Sequence, residues 1–154
     1  KWILTKLDDD DVVADFGCGP GQFAHFLTDN GVKYAYGVDF SEQAIQMARK
    51  LVPNEDFFTG DLYKYDSYLG FYDYNTAISL ETLEHMENDF AFFENVEDET
   101  KIIISVPDFD SLSHVRYFNS LQELKDRYRE HMNISGGKTF TLGKKRIFLL
   151  WGRK

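Results

Sequence analysis

The segment VVADFGCGPGQFAHFL, residues 12–27, limits the possible folds more than any other part of the sequence. It begins with an apolar run typical of a buried strand, passes through three glycines in five positions, and continues with the apolar spacing of a helix. Because glycine has no Cβ, glycines at this spacing let the backbone turn sharply and approach a ligand closely. The segment therefore predicts a strand–turn–helix unit whose turn borders a binding crevice.

Strands and helices alternate over most of the chain. Further strands are predicted at about 34–39 and in EDFFTGDL, YNTAISLE and TKIIISVPD, and helices in QFAHFLTDNG, SEQAIQMARKLV, DFAFFENV and SLQELKDRYREHM. Ser41 is a natural N-cap for the second helix, and Pro53 ends it. This order predicts an α/β fold: a three-layer, Rossmann-like, doubly wound sheet of about seven strands, mostly parallel, with helices on both faces. KTFTLG and RIFLLWGRK have no helix between them, so they predict an antiparallel C-terminal hairpin that turns near Gly143.

Length and composition narrow the setting of this fold. The 154 residues predict one domain spanning 1–154, and the start at Lys1 rather than Met leaves room for a missing N-terminal segment. The formal net charge of −9 argues against nucleic acid and anionic membranes as partners, and the basic residues 144–146 are interpreted as a solvated turn. The single cysteine, Cys18, is interpreted as a packed residue and predicts a cytoplasmic location. No apolar run approaches the about 20 residues needed to span a membrane.

Three carboxylates are predicted around the crevice, because ligands of open α/β sheets bind outside the carboxyl ends of the strands. Asp39 ends the second strand and can accept hydrogen bonds from ribose hydroxyls, and Asp61 follows the third strand and can accept one from a purine amine. Asp15, just before the glycines, is suited to hold the turn or an ammonium group. No lysine or arginine occurs between Asp15 and Lys33, so the crevice suits a cationic ligand better than a pyrophosphate.

The motifs DFGCGPG, GVDFS, GDL and SLETLEH, in this order, resemble those of the class I S-adenosylmethionine-dependent methyltransferases from about residue 10 to the final strand. The resemblance implies that S-adenosyl-L-methionine is bound and that S-adenosyl-L-homocysteine is the product. It further implies that Asp15, Gly17, Gly19 and Gly21 contact the methionine part and that Asp39 contacts the ribose. Phe40 would pack near the adenine, with Asp61 and Leu62 at the edge of the base. Leu80 would lie under the sulfonium. Gln22 stands where a dinucleotide motif has its third glycine. The alternatives are an NAD- or nucleotide-binding oxidoreductase and a non-catalytic cofactor-binding subunit of a larger assembly.

The expected reaction is in-line transfer of the methyl group to an O or N atom of a small-molecule acceptor. A base is needed only when the acceptor carries a proton with a high pKa, and His114 and His85 are the leading candidates because they follow the fifth and fourth strands. His25 and His131 are placed in helices remote from the crevice. Because barely ten residues precede the first strand, either the acceptor site is open, or a missing segment or a partner chain completes it.

The stretch ETLEH contains Glu81, Glu84 and His85, and in some members of the family it contributes metal ligands. Such a group could hold Mg²⁺ or a similar ion. The alternative is that Glu84 and His85 cap the next helix, and a metal is possible here but is not the expectation.

Two further segments are candidates for contact with the acceptor. By resemblance, SVPDFDSLSHVRYF provides such contacts, with the candidates Asp108, Asp110, His114, Arg116 and Tyr117; the alternative is a plain loop with Phe109 and Phe118 in the core. Tyr63, Tyr65 and Tyr68 either line an aromatic acceptor pocket or are ordinary amphipathic surface residues.

Overall fold

The computed structural model describes residues 1–64 and 73–154. Its strands are β1 (Val12–Phe16), β2 (Lys33–Asp39), β3 (Phe57–Thr59), β4 (Thr76–Leu80), β5 (Lys101–Pro107), β6 (Asn133–Leu142) and β7 (Lys145–Arg153). Its α-helices are α1 (Gln22–Asp29), α2 (Glu42–Leu51), α3 (Phe90–Asn95) and α4 (Leu121–Tyr128), and Ile3–Lys6 and Leu83–His85 form single 3₁₀ turns. Every helix in the described ranges is too short or too polar to cross a membrane.

The described residues form one seven-stranded sheet in the order β3-β2-β1-β4-β5-β7-β6. Strands β1 to β5 pair in parallel, whereas β7 runs antiparallel to both β5 and β6. The predicted doubly wound fold and its antiparallel C-terminal hairpin are therefore confirmed. The strand order reverses between β1 and β4, which is the point where open α/β sheets bind their ligands.

Apolar residues of the central strands alternate between the two faces of the sheet, as pleated strands require. Val13, Ile78 and Ile103 pack under α1 and the N-terminal segment. Ala14, Ala77, Ile102 and Ile104 pack on the other face in a core that also contains residues of α3 and α4. Helix α2 joins α1 in a third apolar cluster, so helices cover both faces in three layers.

Local signals set several element ends correctly. The Ser41 hydroxyl accepts a hydrogen bond from the Ala44 amide at 3.2 Å and caps α2, which ends at Leu51, two residues before Pro53.

Two predictions were wrong, one for the end of α4 and one for the start of the C-terminal hairpin. Helix α4 ends at Tyr128, so His131 lies in a turn beyond it and stacks on Phe90 with ring centroids 4.2 Å apart.

The C-terminal hairpin is longer than the sequence pattern indicated, because β6 begins at Asn133 rather than near Lys138. Glycine is disfavoured in strands, and this hides the first half of β6, which contains Gly136 and Gly137. The structure explains Gly136: a Cβ there would lie 2.3 Å from the Trp151 ring on the neighbouring strand. A tertiary contact therefore overrides the local preference.

Candidate active site

The glycine turn after β1 lies at the point where the strand order reverses. Gly17, Gly19 and Gly21 all have positive φ angles, of +83°, +53° and +85°. A Cβ on Gly17 would lie 2.2 Å from the Thr82 hydroxyl oxygen, and one on Gly21 would lie 2.9 Å from Ala48. A Cβ on Gly19 would have no neighbour within 4 Å. The outer glycines therefore permit close packing within the protein, whereas the middle one borders open space.

Asp39 joins the glycine turn to the start of α2. One of its carboxylate oxygens accepts a hydrogen bond from the Gly19 amide at 3.0 Å, and the other accepts one from the Ser41 amide at 2.8 Å. Sequence reasoning expected this carboxylate to bind ribose and missed its bracing role. Each oxygen has a second lone pair, so a ligand hydroxyl can still bind.

Asp15 is buried next to the turn, with the Tyr34 hydroxyl 3.5 Å from its carboxylate. Burial raises the pKa of Asp15 to about 7; the nearby Asp39 charge adds to this effect, and the Tyr34 hydrogen bond opposes it. Burial also raises the pKa of the Cys18 thiol. Cys18 is therefore a protonated, packed residue of the turn, as the sequence indicated.

The residues assigned to adenine follow β2 and β3. Phe40 is 82% exposed, so its ring is available to pack against a ligand. The Asp61 carboxylate accepts a hydrogen bond from the Tyr63 amide at 3.0 Å and lies 3.5 Å from the Lys64 amine. Leu62 packs against the main core. The Gly60 amide donates to the Asp39 carbonyl at 3.0 Å, so the β2 and β3 ends lie side by side.

Of the three candidate acceptor-pocket tyrosines, only Tyr63 falls within the described residues. Its side chain is exposed, and its hydroxyl accepts a hydrogen bond from the Glu87 amide at 2.7 Å. Tyr65 and Tyr68 lie outside the described residues.

The end of β4 contacts the end of β5. Leu80 is half-buried, and Glu81 after it has a positive φ of 53°, which is uncommon for a residue with a side chain. The Ser105 hydroxyl donates a 2.7 Å hydrogen bond to the Glu81 carboxylate, and the Glu81 amide donates to the Ser105 carbonyl at 3.0 Å. Backbone strain of this kind concentrates at functional sites.

Glu84, His85 and His114 form a cluster beside this edge, with one possible ligand atom from each within 4.8 Å of the others. Glu84 is only 1% exposed, and its Oε2 atom has no hydrogen-bond partner among the described residues. Burial is the main reason that the pKa of Glu84 is raised to about 8. The N-cap residue of α3 is Asp89, and no side chain caps that helix, so the interpretation of Glu84 and His85 as caps of the next helix was wrong.

Hydrogen bonds to backbone carbonyls fix the tautomers of both imidazoles. The Nδ1 atom of His85 lies 2.9 Å from the Ser113 carbonyl, and that of His114 lies 3.0 Å from the Phe109 carbonyl. A carbonyl only accepts, so each Nδ1 carries a proton, and Nε2 is the ring nitrogen left to accept a proton or bind a metal when the imidazole is neutral. The ring centroids are 4.9 Å apart.

The loop after β5 is held against the Leu83–His85 turn by Arg116. Its guanidinium donates to the carbonyls of Leu83, Met86 and Glu87, and the Val115 amide donates to the Glu84 carbonyl at 2.9 Å. Arg116 therefore positions the loop, which leaves its guanidinium occupied rather than free for an acceptor.

The other candidates in this loop divide between packing and exposure. Asp108 is bound by the backbone amide and the guanidinium of Arg146, both at 2.6 Å, so the basic residues 144–146 are not simply a solvated turn. Asp110 and Tyr117 are exposed. Phe118 is in the core as the alternative expected, whereas Phe109 is only partly buried and packs against His114.

Known proteins share this architecture. A family model described as a methyltransferase domain matches residues 13–101, more than half of the chain. The PH0226 protein from Pyrococcus horikoshii OT3 is similar at 18% identity, with 99% of this chain and 86% of that chain covered and a TM-score of 0.74. Among curated proteins, none matches at a significant level.

Two further solved structures are similar. Magnesium protoporphyrin IX methyltransferase from Synechocystis PCC 6803 with bound S-adenosylhomocysteine has 18% identity over 99% of this chain and 78% of that one, with a TM-score of 0.72. A Haloferax volcanii methyltransferase complex with the activator Trm112 has 14% identity over 96% and 85%, with a TM-score of 0.72. At these identities the likeness establishes the fold. Together with the family match over the glycine turn and β1 to β4, it leads to one conclusion: this chain belongs to the class I S-adenosylmethionine-dependent methyltransferase family.

Proposed function

We propose that this chain binds S-adenosylmethionine and transfers its methyl group to an O or N atom of a small-molecule acceptor. The observation that carries the proposal is the open space in front of Gly19, whose amide is held by the Asp39 carboxylate, in the turn at the reversal of strand order. Family membership and the S-adenosylhomocysteine bound to the Synechocystis relative support the choice of cofactor.

The proposed cofactor contacts follow from the positions of the residues along this edge. Asp15 and the three glycines would hold the methionine part, and Asp39 the ribose. The exposed ring of Phe40, with Asp61 and Leu62, would hold the adenine. Leu80 would lie beneath the sulfonium.

Methyl transfer from a sulfonium needs little covalent help from the protein. The acceptor lone pair forms the new bond to the methyl carbon, and the electron pair of the breaking C–S bond goes to sulfur, which becomes a neutral thioether. An acceptor hydroxyl or amine must also lose a proton. The protein chiefly aligns the two reactants and excludes water. His114 and His85 are the proposed catalytic residues, because each holds its Nδ1 against a backbone carbonyl and so has Nε2 available as a base at the edge where the acceptor would lie.

The same cluster fits a divalent cation, and the specific observation that favours one is the buried Glu84 oxygen, which has no partner among the described residues, beside two imidazoles. Histidines that ligate metals commonly donate their second ring N–H to a carbonyl, as His85 and His114 do. Glu84, His85 and His114 would hold the ion, with Glu81 adjacent; a mixed imidazole and carboxylate set suits a first-row divalent ion such as Mn²⁺. A bound cation would lower the pKa of an acceptor hydroxyl.

Calorimetric titration with S-adenosylmethionine, S-adenosylhomocysteine and NAD tests the cofactor proposal. We expect binding of the first two and none of NAD; tight NAD binding would instead favour an oxidoreductase. Gly19→Val should abolish binding, because its side chain would enter the proposed cofactor space. Gly31→Val is a matched control, because Gly31 also has a positive φ (+76°) and open space around it but lies at the end of α1.

Methyl transfer from labelled S-adenosylmethionine to a panel of small phenols and amines tests the catalytic residues. We expect His114→Asn or His85→Asn to lower turnover by about 10²–10⁴-fold with little change in cofactor affinity. His25→Asn is the control, because His25 is exposed on α1. Calorimetry with Mn²⁺ alone separates the two roles: binding that Glu84→Gln abolishes supports a cation, and no binding leaves the imidazoles as bases. Turnover with cofactor binding but no loss in either histidine variant would remove both residues from the mechanism.

We further propose a cytoplasmic location, on the basis of the single, buried cysteine. The acceptor site would either be open or be completed by a partner chain. The complex of the Haloferax relative with an activator supports the second of these arrangements.

A further inference from the structure

An apolar groove opens beside Leu80 on the face of the sheet that α1 covers. It has a volume of about 310 Å³, and its lining is mostly apolar, with Lys1 and Ser105 as its polar residues. The apolar lining includes Trp2, Leu80, Phe140, Leu142, Ile147 and Leu149. Register places Leu80, Ser105 and Leu149 at one level of the sheet, and the pair Ile147 and Phe140 two residues away, toward the carboxyl end of β5. The groove therefore lies at the carboxyl edge of β4 and β5, between the N-terminal segment and the C-terminal hairpin.

The groove adjoins the proposed methyl donor through two residues. Leu80 lines it and is also the residue proposed to lie beneath the sulfonium. Ser105 lines it as well, and its hydroxyl is committed to the Glu81 carboxylate at 2.7 Å. A molecule lying in the groove would have one end next to the donor methyl group and the polar edge formed by Glu81.

The wall contributed by the N-terminal segment is aromatic and braced. Trp2 packs against Phe140 with ring centroids 5.7 Å apart and against Trp151 at 5.1 Å. The amines of Lys6 and Lys138 lie 4.9 Å and 5.1 Å from the Trp2 ring centroid, which restrains it further. At the other side, Leu142 is 64% exposed, so the groove has an apolar lip in contact with solvent.

The size and chemistry of the lining select a class of ligand. Small-molecule sites are concave and mostly apolar, with a few polar groups that set the orientation, and about 300 Å³ is at the small end of their range. The apolar side chains offer contact area, the hydroxyl of Ser105 is already bonded, and the remaining polar residue, Lys1, is exposed to solvent. A planar apolar body of about one or two rings fits this lining, whereas a polyol or sugar would lose hydrogen bonds to water without replacing them.

We propose that this groove binds the planar, apolar body of the methyl acceptor, so that the acceptor is a small aromatic molecule with its hydroxyl or amine directed past Leu80 toward the methyl group. This inference rests on the proposed function for the identity of the donor. The binding of the aromatic body is a separate property of the groove and is measured separately.

The test titrates the protein, saturated with S-adenosylhomocysteine, with 2-naphthol as the probe and glycerol as the non-aromatic control. We expect 2-naphthol to bind and glycerol not to bind. Leu142→Asp and Ile147→Trp, which place a charge on the lip and bulk on the floor, should each weaken naphthol binding about tenfold or more. Both should leave the affinity for S-adenosylhomocysteine and the unfolding temperature close to those of the wild type.

Thr139→Trp is the matched control. Thr139 is exposed on β6, the strand that carries Phe140, but its side chain points to the opposite face. It should leave naphthol binding unchanged.

Three outcomes overturn the inference: no naphthol binding, naphthol binding that neither groove variant weakens, or a dimer in ultracentrifugation that Leu142→Asp converts to a monomer. The last would assign the groove to a second copy of this chain. If S-adenosylhomocysteine itself fails to bind, the proposed function falls, and the naphthol titration of the unliganded protein still decides whether the groove binds aromatic molecules.

Discussion

The region where α3 and α4 meet (the α3–α4 junction) and the carboxyl edge of the sheet each contain a buried carboxylate. The two carboxylates differ in their hydrogen-bond partners. Asp89 at the junction is fully buried and receives hydrogen bonds from the Arg127 guanidinium at 2.6 and 2.7 Å and from the Tyr128 hydroxyl at 2.6 Å. Glu84 at the edge is almost as buried, yet one of its oxygens has no partner among the described residues.

The two environments shift the pKa values in opposite directions. Burial alone would raise the pKa of Asp89, but the hydrogen bonds from Arg127 and Tyr128 outweigh it and lower the value. Burial raises the pKa of Glu84 to about 8, and that of Asp15 at the same edge to about 7. The first arrangement stabilises the fold, whereas the second leaves buried carboxyl groups less well compensated, at a cost in stability. Under the proposed function, these groups would face a cationic ligand.

The largest effect is expected from Asp89→Asn. Removing one partner of a buried ion pair leaves the other uncompensated, which typically costs about 3–5 kcal/mol. Because Arg127 is partly exposed, we expect a loss of about 3 kcal/mol in the free energy of unfolding, measured by urea denaturation. In the wild type this contribution persists above the ordinary aspartate pKa and is lost as the pH falls through the lowered value. A loss below about 1 kcal/mol would mean that the junction does not depend on this pair.

Asp39→Ala should have the next largest effect, on cofactor affinity. Losing a charged hydrogen-bond acceptor costs about 1.5–3 kcal/mol, so calorimetry should show S-adenosylhomocysteine binding about ten- to a hundredfold more weakly. The variant also removes the brace on Gly19, so Asp39→Asn, which retains one acceptor oxygen, should lose less. A folded Asp39→Ala variant with wild-type affinity would remove this residue from the site.

We expect Asp15 to make cofactor affinity depend on pH. In the free protein its raised pKa leaves it largely protonated below pH 7, and only the ionised form attracts the ammonium group of the cofactor. We therefore expect affinity to rise about tenfold between pH 6 and pH 8, with proton release on binding. Asp15→Asn should remove this dependence. Any weak pH dependence that remains in the variant would come from titration of the ligand amine. An equal pH dependence in that variant would exclude Asp15 as its source.

The smallest effect on stability is expected from Glu84→Gln, which sharpens the contrast with Asp89→Asn. The glutamine places a neutral amide where an unpartnered carboxylate is buried, so the free energy of unfolding should stay within about 1 kcal/mol of the wild type or rise. Both variants are measured by the same urea titration without added metal. A loss as large as that of Asp89→Asn would show that Glu84 makes a stabilising interaction through atoms other than its unpartnered oxygen.

The sequence by itself determined the features that depend on near neighbours along the chain. The strand, glycine turn and α1 were predicted from residues 12–27, the α2 cap from Ser41, and the parallel core with its final hairpin from the alternation of apolar patterns. These signals are local, because periodicity and caps act within a few residues. They failed where a distant contact overrode them, as at Gly136 beneath Trp151.

Only the tertiary structure decided which charged groups are paired and which are not. Arg116 and Asp108 were candidates for acceptor contact and hold the loop in place, whereas Glu84 was a candidate metal ligand or cap and has one oxygen without a partner among the described residues. His85 and His114 are 29 positions apart in the sequence and meet because β4 and β5 are adjacent in the sheet. Strand order and register bring such groups together through space, and the energy of a buried charge depends on that surrounding rather than on its neighbours along the chain.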